Sequence, residues 1–146
     1  GTMKFTEMPY VRPDMERVLA DFDAIAARLD DAKSAEEQIA AYEAADTLKK
    51  RFMTAAALAS VRHTIDTRDE FYTAENDFMD ENAPVVQEKI QKILEKMLSS
   101  AFRRELEAPF GELFFRNLEI AARTFKPEII GLMQEENARV SEYRAL

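Results

Sequence analysis

The chain has 146 residues, of which 47% are hydrophobic and 33% charged, and its formal net charge is −8. That balance is too apolar for a disordered chain and excludes a surface built to bind phosphate backbones, which needs clustered Lys and Arg. With no cysteine and one histidine, His63, disulfides, thiolate metal sites and any two-histidine metal motif are excluded as well.

Residues 1–13 read as an irregular arm, because Pro9 and Pro13 each push the preceding residue out of helical geometry. Phe5, Met8, Tyr10 and Val11 make that arm sticky enough to pack. Asp14 is placed to cap a first helix. Met15, Val18, Leu19, Phe22, Ile25, Ala26 and Leu29 then recur at three and four, which predicts an amphipathic helix to about Asp31. Ser34-Ala35-Glu36-Glu37 is a capping-box pattern opening a second helix. Ala41, Ala45, Leu48, Phe52, Ala55 and Ala59 form its inner face, and it reaches Val61 or Arg62. The small Ala55, Ala56 and Ala57 would let another helix approach closely.

Arg62-His63-Thr64-Ile65-Asp66-Thr67 reads as a β-branched, cap-rich interruption, with Thr64, Asp66 and Thr67 available to the backbone donors of the next helix and Asp66 able to pair with Arg62. Thr67 or Asp69 caps a third helix from about Asp69 to Leu98, with Phe71, Phe78, Val86, Ile90, Ile93 and Met97 as its seam. Pro84 lies inside it and predicts a kink near Asp80–Pro84 within one helix, since the seam resumes in phase. Ser99-Ser100 ends it, and Phe102 to Leu106 makes a turn or two before Pro109. Phe110, Leu113, Phe114, Leu118, Ala121 and Phe125 mark a fifth helix. Pro127 opens a last one, with Ile130, Met133, Asn137 and Val140 inward. No stretch alternates as a strand would. The expectation is an all-α, antiparallel bundle of five or six helices in a single domain, 1–146.

Catalytic patterns are weak. A di-iron bundle needs two Glu-x-x-His pairs, which one histidine cannot supply. Asp77-Phe78-Met79-Asp80-Glu81-Asn82 lacks the glycine of a calcium loop and reads as a solvated helix face. Ser60, His63 and either Asp66 or Asp69 could sketch a triad, but no Gly-x-Ser-x-Gly elbow accompanies them, so Ser60 reads as a small core residue. Glycines at 1, 111 and 131 build no phosphate cradle. Lys49-Lys50-Arg51 and Arg103-Arg104 read as solvated pairs near helix ends. The polar corner Arg62, His63, Thr64, Asp66 is either a capped turn, with His63 on a backbone carbonyl, or a surface that docks against something else.

Several segments resemble the N-terminal region of oligoendopeptidase F-type zinc metallopeptidases, relatives of thimet oligopeptidase. They are Met8-Pro9-Tyr10-Val11-Arg12-Pro13-Asp14, Ala59-Ser60-Val61-Arg62-His63-Thr64-Ile65-Asp66-Thr67, Phe71-Tyr72, Asp80-Glu81-Asn82-Ala83-Pro84, Gln134-Glu135-Glu136-Asn137 and Ser141-Glu142-Tyr143. The Arg-His-Thr-Ile-Asp-Thr run is the most specific. The resemblance implies a helical, non-catalytic N-terminal lobe, part of the wall of a channel that admits short peptides. Zinc and its His-Glu-x-x-His helix would then lie in a second lobe of the parent enzyme. This chain has no catalytic or metal residue to inherit and no cofactor of its own. Arg62, His63, Thr64 and Asp66 are the candidates for a channel-facing or docking surface. The expected partners are the catalytic lobe of the same polypeptide and, in the intact enzyme, short peptides, with neither nucleic acid nor membrane. An exposed apolar face could also drive self-association of a fragment, and a cytoplasmic location is the default. The competing reading is a free-standing helical interaction protein without enzymatic activity.

Overall fold

The computed structural model of the protein describes residues 8–106, 115–117 and 119–120. Three long helices carry the fold: α1 (Met15–Asp31), α2 (Ala35–Ile65) and α3 (Glu70–Leu98). Short helical pieces follow at 103–106 and 115–117, and no strand occurs among the described residues. The architecture is an all-α antiparallel bundle.

Each long helix starts where a short acceptor meets its free backbone donors. Asp14 accepts from the Arg17 N–H, Ser34 from Glu37 N, and Asp69 from both Phe71 N and Tyr72 N. The box at Ser34 is shifted by one residue, because Glu37 Oε2 takes the Lys33 N–H at 2.7 Å. Asp69 serves two donors, at 2.9 and 3.2 Å. Asp69→Ala should therefore lower stability by about 1 kcal/mol, read as a shift in the urea midpoint. Asp66→Ala should cost less than about half of that, because Asp66 holds a single N–H, from Arg68, in an exposed turn. Equal losses would show that the turn and the cap are misassigned.

The connections 32–34 and 66–69 are too short for anything but reversal of direction. Cross-helix contacts fix the register. Lys89 meets Asp23 at 2.6 Å and Lys96 meets Asp30 at 2.7 Å, both 66 residues apart. α1 and α3 thus run parallel, with α2 antiparallel to both. α2 reaches α3 at one end through His63 and Thr73, and at the other it meets the segment just after α3, where Ser100 Oγ donates to Gln38 Oε1.

The core is a single cluster. Phe22, Ile25 and Leu29 come from α1, Ala41, Ala45, Phe52 and Ala59 from α2, and Met79, Val86, Ile93, Leu94 and Met97 from α3. Ala41 and Ala59 are completely buried, and such small residues let the neighbouring helices approach. Leu106 and Phe115 join the same cluster.

Several expectations are corrected. α2 continues to Ile65, so Arg62 to Ile65 are helical and the interruption shrinks to residues 66–69. Thr64 tolerates the helix because its hydroxyl donates to the Ser60 carbonyl four back, at 2.8 Å. Ser60 itself is exposed and fills no core position. On α3 the seam runs through Glu75 and Met79, while Phe71 is exposed. α3 is one helix through Pro84, as expected, and Asn82 Nδ2 donates to the Phe78 carbonyl just before the proline. Asp77, Asp80 and Glu81 do lie on the exposed face, with Met79 buried behind them. The residues expected on the face of the fifth helix, Phe110, Leu113, Phe114, Leu118, Ala121 and Phe125, lie outside the described residues, while Phe115 is buried with the Arg103 guanidinium 5.1 Å from its ring centre. The predicted inward residues of the last helix, from Pro127 onward, lie outside the described residues.

Candidate functional site

The polar corner at the end of α2 and the arm before α1 form one connected structure. Arg62 is half-buried. Its guanidinium donates to the Met8 carbonyl and to the Tyr72 hydroxyl, the latter at 3.0 Å. It therefore pins the arm to the start of α3 and is spent on that task, where the sequence suggested a pairing with Asp66.

His63 faces α3, with Nδ1 3.2 Å from Thr73 Oγ1. The Thr73 hydroxyl donates its one proton to the Asp69 carbonyl at 2.9 Å. With that proton on the Asp69 carbonyl, the tautomer that completes the contact carries its proton on His63 Nδ1. The histidine thus bonds a hydroxyl of the next helix, not the backbone carbonyl expected for a capped turn. Its field also reaches Asp80, whose carboxyl is raised by partial burial and by Asp77, with His63 opposing. Thr64 and Asp66 are exposed. Thr64 bonds backward within α2, and Asp66 closes the turn on the Arg68 N–H. The four predicted residues therefore divide: Arg62 and His63 look inward, Thr64 and Asp66 outward.

Sequence reasoning missed the most heavily bonded group nearby, Glu75. Its carboxylate is 3% exposed. Arg12 grips it with a fork, Nε at 2.9 Å from Oε1 and 3.1 Å from Oε2, with Nη2 also on Oε2. The Tyr10 hydroxyl donates to Oε1 at 2.8 Å. Arg12 hydrogen bonds, with help from Tyr10, hold the Glu75 carboxyl below its ordinary value against the opposing effect of burial. Burial first, and then the bond to Glu75, push the Tyr10 phenol far up. Arg12 also lies over the Phe78 ring at 4.1 Å, and Tyr10 meets Phe71 and Tyr72 edge-on. The available signal was a lone carboxylate on the apolar stripe of α3, four residues after Phe71 and three before Phe78.

Beside this latch a groove of about 460 Å³ opens between the arm, α1 and α2. Val18, Leu48, Phe52 and Ala55 make its floor, and Arg17 and Arg51 stand on its rim. Among the described residues, no group of three or more His, Cys, Asp or Glu side chains is placed to hold a metal ion. No described helix is long and apolar enough to cross a membrane.

Comparison with known proteins agrees with this architecture. The family model for the peptidase M3 N-terminal domain matches residues 5–125. A solved structure of PZ peptidase A with an inhibitor is 38% identical, with a TM-score of 0.84 over 96% of this chain and 25% of its own. An X-ray structure of a protein described as an oligoendopeptidase F is 40% identical, with a TM-score of 0.84 over 97% of this chain and 25% of that one. No curated protein matches. The chain thus spans about a quarter of the length of each solved peptidase it resembles, and it belongs to the peptidase M3 N-terminal domain family.

Proposed function

We propose that this chain is the non-catalytic N-terminal lobe of a zinc oligopeptidase, one wall of a channel that limits access to short peptides. The observation that carries the reading is the asymmetric coverage. Nearly all of this chain superposes on peptidase structures that are about four times longer. Zinc of the peptidase kind needs two histidines four apart with a glutamate between them, and the sequence holds His63 alone. These residues do not fit that metal, so no hydrolytic step runs through them. What the lobe contributes is shape. Its arm is bolted to α2 and α3 by Arg62 and by the Arg12–Glu75–Tyr10 set, and a wall that excludes large substrates must be stiff. Thr64 and Asp66, exposed at the end of α2, are the members of the predicted set positioned to meet the catalytic lobe or a peptide.

The test uses quenched fluorescent oligopeptides and metal analysis. The chain alone should turn over none and carry no stoichiometric zinc. The polypeptide encoded by the complete reading frame should contain His-Glu-x-x-His downstream and cleave short peptides with chelator sensitivity. Peptidase activity in the chain alone would overturn the reading. A complete frame without the zinc motif would leave the free-standing interaction protein in its place.

A further inference from the structure

α2 is apolar on two sides, and among the described residues only one of them is packed. Its inner face supplies Ala41, Ala45, Phe52 and Ala59 to the interior. On the outer face of its second half, Met53, Ala57, Val61 and Ile65 are all exposed. Met53 is 53% exposed, Val61 41% and Ile65 75%. Spaced by four, these side chains form one continuous i±4 ridge, the kind that fits the groove of a packed helix. A helix apolar all round is normally buried all round. Apart from Phe71 at the start of α3, the exposed residues of α1 and α3 are mainly charged, with some alanine.

Resting on the proposed function, we infer that the Met53–Ala57–Val61–Ile65 ridge is the seat of an apolar helix from the remainder of the peptidase polypeptide. Two observations select that occupant. The solved relatives carry about three-quarters of their length outside the part this chain matches, so an intramolecular partner of ample size is available. The ridge is also too small for a second copy. From Met53 to Ile65 the helix rises about 18 Å, and one row of side chains over that length falls well short of the roughly 800 Å² per partner of a stable association. Within one polypeptide the loss of translational freedom does not have to be overcome, so a short ridge suffices. Ala57 at its centre leaves room for close approach.

The experiment exploits the absence of cysteine from the chain. Met53→Cys and Ala57→Cys are introduced singly, with Ala24→Cys on the outward side of α1 as the reference. Maleimide labelling is followed at each position by peptide mass spectrometry, in this chain and in the polypeptide encoded by the complete reading frame. Positions 53 and 57 should label as fast as 24 in the chain alone and at least tenfold slower in the complete polypeptide. Equal rates in the complete polypeptide overturn the inference while leaving the peptidase reading intact. Slow labelling in the chain alone also overturns it. Slowing that grows with protein concentration assigns the ridge to a second copy, and slowing at all concentrations assigns it to a segment of this same chain. Active complete enzyme is required of every variant, which separates failure of the inference from failure of the functional reading.

Discussion

Phe22→Ala is expected to destabilise the bundle by about 3–5 kcal/mol, the range for emptying a fully enclosed aromatic site. Phe22 is 1% exposed and belongs to the cluster to which all three long helices contribute. Its loss leaves a void that none of them can close without shifting against the other two. Against a total stability of about 5–15 kcal/mol for a domain of ordinary stability, that is a large share of what holds the chain folded. Thermal or urea unfolding followed by helical circular dichroism reads it. A loss below about 1 kcal/mol would mean that the interior relaxes around position 22 and that α1 is not seated as described.

Glu75→Ala is expected to cost about 2 kcal/mol at neutral pH, the scale of losing hydrogen bonds to a buried charge. It should also release the arm, visible as faster amide exchange at residues 10–12. The pH dependence carries the sharper signature. The folded state holds the Glu75 carboxyl below its unfolded value, so its contribution is fully present above the unfolded value, about 4.3. That contribution is lost as pH falls through the lower, folded value. The gap in stability between the parent chain and the variant should therefore be constant from pH 7 to about 5 and close on further acidification. A gap that stays constant to pH 2 would show that Glu75 acts through packing and not through its charge.

Much of the bundle is legible in the sequence because helix starts and seams are local codes. Asp14 and Ser34 announce their caps by residue type and position, the third cap is narrowed to Thr67 or Asp69, and the three-four spacing from Met15 to Leu29 selects the face that becomes buried. The end of α2 is not legible in that way. A β-branched, polar run such as Arg62–Ile65 has weak helix propensity, and what keeps it helical is contact with α3 and the arm. Phe71 leaves its expected place in the seam, and Glu75 takes a buried position that the sequence did not announce, for the same reason. A carboxylate is buried only where a partner reaches it, and here that partner, Arg12, lies 63 residues away. The sequence marks Arg62, His63, Thr64 and Asp66 as a polar corner, but not the way the structure divides them. Nothing in the local sequence distinguishes Arg62, which spans to Met8, from Thr64, which turns back on its own helix.

The parallel run of α1 and α3 bears on how the chain finds its fold. Their ion pairs each join residues 66 apart, and formed directly from an open chain each would close a long loop at a large entropic cost. α2 lies between them in sequence, reverses direction at both ends, and is antiparallel to each. Two helical hairpins closed by residues 32–34 and 66–69 bring α1 and α3 side by side, so the long closure is divided into two short ones. The contact order seen by the forming chain is that of two local hairpins sharing a strut, the regime of rapid folding, and the distant salt bridges record where those hairpins meet.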